Sequence, residues 1–287
     1  MLKRHHEEAR EIMESVKLKN QENVKKDFLP PKVKGFRLIK TIKHPMFGNT
    51  AFLMQYKGNL FTFFRTSFLK ANGTLDGVNF DSQFGRRKWN NQPLGYEIIP
   101  ERYVESVRRN AGFLASTYLL SEDTKTGILL SKKGKMPTTN QMYDELLVPC
   151  RNFAIKESMF DSELQYGACY DTIGEWLIET GTITEEEWCK NSTSLGNYYN
   201  SKKSYREVCP NGYRKEWMLG GVIDNLAGNV SEWTQEQDGT TVTRRIIRGG
   251  CHINNGNSKG SEVSSRNSMP ISMLSCTTGE RLVIFLK

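Results

Sequence analysis

The first pattern along the chain is a stretch of helical spacing with few apolar residues. From about residue 6 to residue 26 the sequence is rich in Glu and Lys and contains neither Gly nor Pro. This spacing predicts a helix that Pro30 and Pro31 end. Its apolar stripe is too narrow for a core element, so the helix is expected to dock on a partner, lie on the body of the protein or self-associate. The stripe consists of Ala9, Ile12, Met13, Val16 and Val24.

Between residues 35 and 103 the pattern changes to short aromatic and aliphatic runs, which predict strands. The runs at residues 50–56 and 60–64 are separated by Lys-Gly-Asn at 57–59. They therefore predict a β-hairpin. This section carries no catalytic pattern and is expected to form either a small β-rich module or an extension of the domain that follows.

Composition places the chain among soluble globular proteins. It has 287 residues, of which 37% are hydrophobic and 25% charged, and no apolar run is long enough to cross a bilayer. The basic first residues are not followed by an apolar stretch, so no secretory signal is predicted and the chain is expected to be made in a cytoplasm.

Charge and cysteine spacing exclude two further classes. The net charge of +8 is spread over short clusters without a helix-turn-helix, zinc-finger or RNA-recognition signature, which favours a basic surface over a specific nucleic-acid partner. The six cysteines contain no Cys-x-x-Cys pair, so a structural zinc site is not expected. Without a secretory route, free thiols are expected rather than disulfides.

The most specific motifs lie in the C-terminal three-fifths of the chain. Residues 164–171 read Leu-Gln-Tyr-Gly-Ala-Cys-Tyr-Asp, and residues 225–234 read Asn-Leu-Ala-Gly-Asn-Val-Ser-Glu-Trp-Thr. Arg-Gly-Gly follows at 248–250, and Gly-Glu-Arg-Leu-Val-Ile at 279–284. In this order the motifs resemble the formylglycine-generating enzyme (sulfatase-modifying factor) family, a branch of the C-type-lectin fold. Residues 190–198, which read Lys-Asn-Ser-Thr-Ser-Leu-Gly-Asn-Tyr, add a narrower resemblance to non-enzymatic phage and prophage structural members.

The resemblance implies an α+β fold in which two helices pack on a twisted, mostly antiparallel sheet. A strand at 282–286 is expected to close this sheet against a strand near Phe113, with long irregular loops between Tyr198 and Arg245. The chain is therefore expected to have three sections. Residues 1–29 form an N-terminal helix and linker, residues 30–105 a β-rich attachment section, and residues 106–287 the C-type-lectin-like domain.

The loop at residues 225–233 is the first candidate site. In enzymes of the family the corresponding loop binds calcium, a hard cation that takes six to eight oxygen ligands. The alternative is a purely structural loop, with Trp233 in the core. The chain is therefore expected to have either no cofactor or calcium in this loop. Carried over by position, the calcium ligands are the side chains of Asn225 and Glu232 and the carbonyls of Leu226, Gly228 and Val230.

The second candidate position follows Arg-Gly-Gly. Sulfatase-activating members have two cysteines there, which bind copper and activate oxygen. This chain has Cys251 alone, and the next cysteine is Cys276. One thiolate does not make the two-thiolate site that Cu(I) favours, so Cys251 is expected to be a buried residue in the place of a serine. Four scattered histidines do not supply the triad of the iron-dependent branch. The chain is therefore expected not to be an enzyme.

Small polar residues dominate the stretch after Cys251. In phage variable proteins of this fold the corresponding stretch forms an exposed ligand-binding face, and such residues suit adaptable hydrogen bonding. The alternative is an exposed loop without a ligand. The residues that the resemblance implies for the face are Asn254, Asn255, Asn257, Lys259 and Ser261.

These features together predict a non-enzymatic bacteriophage virion protein of the tail, fibre or head decoration. Residues 1–105 would bind other virion proteins, and the lectin-like domain would bind host-surface carbohydrate or protein, in a homo-oligomer without membrane insertion. The alternative is a formylglycine-generating-type oxidase with a degenerate active site at Cys251. A bacterial surface or effector domain is a third reading of the same fold.

Overall fold

The computed structural model describes residues 28–45, 47–66, 96–123, 125–239 and 241–287. The predicted N-terminal helix lies outside these residues. Within them the helices are α1 (Glu101–Asn110), α2 (Tyr143–Asn152), α3 (Gly167–Glu179) and α4 (Glu185–Cys189). The strands are β1 (Phe36–His44), β2 (Gly48–Tyr56), β3 (Asn59–Arg65), β4 (Gly112–Ser116), β5 (Ser121–Glu122), β6 (Leu129–Leu130), β7 (Phe160–Leu164), β8 (Met218–Leu219), β9 (Ile223–Asp224), β10 (Ser231–Asp238), β11 (Thr241–Arg248), β12 (Arg266–Pro270), β13 (Thr278–Gly279) and β14 (Leu282–Leu286).

The main sheet is antiparallel and has the strand order β1-β2-β3-β4-β14-β7. The predicted hairpin is confirmed as β2 and β3. The predicted closure of the sheet is also confirmed, because Val283 of β14 lies opposite Ala115 of β4. Strand β3 pairs with β4 along five residue pairs. The β-rich section is therefore an extension of the lectin-like sheet, and the boundary expected at residues 105 and 106 falls inside helix α1.

A second sheet has the order β12-β11-β10-β13. Its hairpin of β10 and β11 occupies part of the region where long loops were expected. The pattern concealed these strands because charged residues hold buried positions on them. Glu232, Glu236 and Arg248 are all fully buried, so hydrophobic alternation, the usual sign of a strand, is missing.

Alternate residues of the central strands feed two separate cores. On β14, Val283 and Phe285 join a core with α1, α3 and α4, whereas Leu282 and Ile284 join a core with α2 and Trp233. This period of two follows from the alternation of side chains along a strand. Both faces of the central sheet are thus covered, which explains why β4 and β14 are buried throughout.

Helix α3 carries the motif at residues 164–171 into the first core. Its first backbone N–H groups, from Gly167 and Ala168, donate to the carboxylate of Glu97 at 2.7 and 3.0 Å, an interaction that favours the positive end of the helix dipole. Trp176 lies on its buried face, and its indole N–H donates to the carbonyl of Thr50 at 3.0 Å. No helix among the described residues is long and apolar enough to span a membrane.

Trp233→Ala is expected to lower the free energy of unfolding by roughly 3–5 kcal/mol, because removal of a buried indole leaves a cavity. The ring is fully buried and lies 5.7 Å from the Tyr143 ring, measured between centroids. Urea denaturation of both proteins measures the loss. The matched control is Val242→Ala on β11, where the side chain is exposed. Equal losses in the two variants would contradict the placement of Trp233 in the core.

Candidate functional site

A buried ion pair lies at the centre of the predicted calcium loop. The Arg281 guanidinium contacts both carboxylate oxygens of Glu232, with Nη2 2.7 Å from Oε1 and Nε 3.0 Å from Oε2. Both side chains are fully buried. The amide of Gln165 also donates to Oε2 of Glu232. The negative charge of Glu232 is therefore balanced by the positive charge of Arg281.

The loop before Glu232 is fixed by hydrogen bonds and by close backbone contact. The carbonyl of Leu226 accepts from the Tyr170 hydroxyl at 3.0 Å. Gly228 has φ +64°, and a Cβ there would stand 2.7 Å from the carbonyl oxygen of Asn197. This residue must therefore be glycine on both conformational and steric grounds. Val230 packs in the interior of the protein.

Two observations bear on a cation in this loop. The buried Oδ1 of Asn225 has no hydrogen-bond partner in the described part of the chain, so it is free to be a ligand. Glu232, however, does not fit the role as placed, because the Arg281 guanidinium stands against both its oxygens. Calcium at residues 225–232 remains one of the two alternatives, and it requires Glu232 to exchange Arg281 for the ion. The arrangement as it stands fits the other alternative, a structural loop.

A second buried ion cluster connects the motif at residues 164–171 with the one at residues 248–250. Asp171 of α3 accepts from Arg248 at 2.7 Å and from Arg266 at 2.5 Å. Glu236 lies 3.4 Å from Arg266 and 3.8 Å from Arg248. Burial by itself lowers the pKa of Arg248, but the carboxylates of Asp171 and Glu236 outweigh it and the pKa is raised. The two cations and two anions balance, so the motif residues here serve the core.

Cys251 is buried, as the sequence predicted, and bound within its own loop. Its Sγ donates to Oδ1 of Asn254 at 3.0 Å, and the same oxygen accepts from the Cys251 backbone N–H at 2.9 Å. Burial raises the pKa of this thiol. All six cysteines are free thiols, also as predicted, and Cys276 is exposed. The described residues contain no cluster of three His, Cys, Asp or Glu side chains suited to a metal ion.

The structure exposes some of the residues predicted for the ligand-binding face after Cys251 and partly buries the others. Asn255, Asn257 and Lys259 are exposed, whereas Ser261 is half-buried. Asn254 is half-buried too, and its side-chain oxygen is turned towards Cys251. Three of the five predicted residues thus present their side chains to solvent.

The structure also brings aromatic side chains to this stretch. The backbone N–H of Tyr199 donates to the carbonyl of Asn254 at 2.8 Å, and Tyr199 is 51% exposed. The sequence pattern gave no aromatic anchor here because Tyr199 lies more than fifty residues earlier in the chain. Its tyrosine-rich and basic surroundings, residues 198–217, were the available signal, and they were assigned to an irregular loop.

Residues 157–285 match the model of the sulfatase-modifying factor enzyme 1-like domain. The family resemblance is confirmed. An α+β architecture of the C-type-lectin type is confirmed with it. No match is found among curated proteins.

Several solved structures are similar in part. Treponema denticola variable protein 1 is 12% identical, with 88% of this chain and 100% of that chain covered and a TM-score of 0.48. PvdO from Pseudomonas aeruginosa is 16% identical, with 61% and 81% covered and a TM-score of 0.45. CarF is 14% identical, with 88% and 95% covered and a TM-score of 0.41. Likenesses at these scores carry no argument about function.

Glu232→Gln is expected to lower the free energy of unfolding by roughly 3–5 kcal/mol, because it leaves the buried Arg281 guanidinium without a counter-charge. The control is Glu105→Gln, since Glu105 pairs with Arg109 on the surface of α1 and exposed pairs contribute little. Added calcium or a chelator is expected to leave the melting temperature of the wild type unchanged. A shift of several degrees on chelation, lost in the variant, would show that a cation binds here.

Asp224, next to this loop, makes stability depend on pH. Burial raises the pKa of its carboxyl from 3.8 to about 7, although the Gly212 N–H and the Arg281 charge favour the anion. The folded state therefore binds the proton more tightly than the unfolded state. The stabilising contribution is fully present below about pH 4 and is lost as the pH rises towards 7.

Asp224→Asn is therefore expected to gain stability relative to the wild type as the pH rises from 5 to 8, on the order of 2 kcal/mol. The asparagine keeps an oxygen that can accept from the backbone N–H of Gly212, which lies 2.7 Å from Oδ2. Urea denaturation of both proteins at several pH values measures the difference. A difference that stays constant across this range would contradict a titrating Asp224.

Proposed function

We propose that this protein is a non-enzymatic structural component of a bacteriophage virion, in the tail, the fibre or the head decoration, and that its lectin-like domain binds a surface. The observation that carries the non-enzymatic part is the state of Cys251. Its thiol is buried, its pKa is raised by burial, and Asn254 holds its Sγ. The thiolate is the form that binds metals and attacks, and this environment disfavours it.

The charged motif residues give the same indication. Glu232 is paired with Arg281, and Asp171 with Arg248 and Arg266. A general acid or base has to reach a substrate with a free proton or lone pair. These carboxylates are enclosed and engaged in ion pairs, which supports a structural role for the motifs.

Attachment to a particle is proposed for the N-terminal section. Strand β1 is the outer strand of the main sheet, and it exposes Leu38 and Ile39. Exposed apolar residues on an edge strand are typical of a surface that pairs with another chain. The proposed partners are other virion proteins and further copies of this chain, and the proposed location is the virion.

The proposal predicts that the protein remains with purified phage particles. Particles from an induced culture that encodes the chain would be banded on a density gradient and examined by quantitative mass spectrometry. The chain is expected to band with capsid and tail proteins at a fixed copy number, a multiple of three for a fibre or of six for a tail tip. Its presence only in the soluble lysate would overturn the proposal.

A second experiment distinguishes this function from the activity of an oxidase. The purified protein would be loaded with copper, and its oxygen consumption would be compared with that of Cys251→Ser. Cys276→Ser serves as the control because Cys276 is exposed. All three proteins are expected to behave alike. Oxygen consumption that depends on Cys251 alone would favour the formylglycine-generating type of oxidase instead.

A further inference from the structure

Three tyrosines of one segment are exposed together beside the polar loop. Tyr199, Tyr205 and Tyr213 are 51%, 41% and 46% exposed. Most of the other large rings that the structure describes are buried in the two cores. An exposed group of aromatic side chains is typical of a surface that binds something, because tyrosine supplies a large contact area at a low cost in entropy.

The three tyrosines, with Arg206 and Arg214, make up what we call the Tyr-Arg surface. It consists of two groups of side-chain contacts, which are joined through the consecutive residues Tyr205 and Arg206. The rings of Tyr205 and Tyr213 meet edge to face at 4.8 Å between centroids. The Arg206 guanidinium lies 4.9 Å from the centroid of Tyr199, and that of Arg214 lies 5.5 Å from the centroid of Tyr213. These contacts hold flat apolar rings and planar cations side by side.

The surface is held in place by the protein below it. The backbone N–H of Tyr205 donates to Oδ1 of the fully buried Asn197 at 2.8 Å. Arg206 has φ +62°, a backbone conformation that residues other than glycine rarely adopt. The backbone N–H of Arg206 donates to the Ser204 hydroxyl at 3.1 Å. The Arg214 Nε donates to the carbonyl of Lys203 at 3.1 Å. A ligand would therefore meet side chains that are already arranged.

Amide groups continue the Tyr-Arg surface into the polar loop. The side-chain N–H of Asn200 donates to Oδ1 of Asn257 at 2.9 Å, and Oδ1 of Asn200 accepts from the N–H of Gly256 at 3.0 Å. Asn200 and Asn257 are both exposed. Each keeps further donor or acceptor capacity for a ligand. Hydroxyl groups, which both donate and accept, suit such amides.

The charge of this segment favours an anionic ligand. Residues 199–217 all lie in the described part of the chain, and among their basic residues only Lys203 forms a salt bridge there, with Glu216. Arginine next to an aromatic ring keeps its planar N–H groups available for a carboxylate. Across residues 199–217, five basic residues stand against two acidic ones, namely Lys202, Lys203, Arg206, Arg214 and Lys215 against Glu207 and Glu216.

We infer that the Tyr-Arg surface binds a polysaccharide that carries carboxylate groups, and this inference rests on the proposed recognition function. The tyrosine rings pack on the apolar faces of the sugar rings, the arginines pair with the carboxylates, and the asparagine amides bind the hydroxyls. A single-stranded nucleic acid would also use rings and cations. It is the less suited ligand because the exposed amides of Asn200 and Asn257 match the many hydroxyl groups of a polysaccharide.

The test measures binding of the full chain to immobilised polyuronates, namely polygalacturonate, alginate and hyaluronate, with neutral dextran and single-stranded oligothymidylate as comparison probes. The variants are Tyr199→Ala with Tyr213→Ala, and Arg206→Gln with Arg214→Gln. The matched controls are Tyr96→Ala, whose ring is 44% exposed outside this surface, and Arg109→Gln on α1. Melting temperatures verify that each variant is folded.

At least one polyuronate is expected to bind more tightly than dextran and oligothymidylate. The tyrosine pair should weaken this binding by about tenfold or more. The arginine pair should weaken it most at low salt, because screening reduces the attraction in the wild type at high salt. Both controls should bind as the wild type does.

Four results would overturn the inference. They are no binding to any of the polyuronates, equal binding to dextran, unchanged binding by the folded tyrosine and arginine variants, and oligothymidylate binding that is stronger and lost in the same variants. Incorporation into particles is a separate measurement. Particles that contain the chain without polyuronate binding contradict this inference alone, whereas polyuronate binding by a chain absent from particles contradicts the proposed virion role alone.

Discussion

The described structure depends on the buried Arg281 guanidinium more than on any other single side chain. Besides Glu232, it donates to the carbonyls of Ser116, Thr117 and Asp224, at 2.7, 3.3 and 2.9 Å. Ser116 ends β4 of the main sheet, Glu232 lies on β10 of the second sheet, and Asp224 ends the short strand β9. Burial of a charge is costly unless it is paired and hydrogen-bonded, and here every contact that offsets the cost also joins two parts of the fold.

The same physical constraint explains why strong motifs give so little direct information about chemistry. Asp171, Arg248 and Glu236 are residue types that enzymes use, and each is enclosed in an ion cluster. Such residues are required by the fold itself, whatever the domain binds or catalyses. The positions that are free to differ between functions are Cys251 and the exposed loops.

The sequence supported the prediction of those elements in which hydrophobic pattern and turn chemistry agreed. The β2–β3 hairpin was predictable because two aromatic and aliphatic runs met at a clear turn, whereas the closure of β14 on β4 was implied by the family resemblance. The β10–β11 hairpin was not predictable, since charged residues occupy three of its buried positions, namely Glu232, Glu236 and Arg248. The pairing of β3 with β4 could not be predicted either, because β3 ends at Arg65 and β4 begins only at Gly112, far along the chain. Of the five residues predicted for the ligand-binding face, the structure exposes Asn255, Asn257 and Lys259. The tyrosines beside them could not be predicted because they come from a distant segment of the chain.

The pairing of β3 with β4 fixes the direction in which the polar loop and the Tyr-Arg surface face. Five residue pairs, from Phe61 opposite Ser116 to Arg65 opposite Gly112, run between the two strands. A flexible linker would let the domain swing about its point of attachment, but a continuous sheet turns as one piece. A partner that binds strand β1 would therefore also fix the orientation of the Tyr-Arg surface, because both belong to one rigid unit. Copies held around a common axis would present their surfaces at fixed angles and spacings, and only targets with a matching spacing would gain from simultaneous contacts.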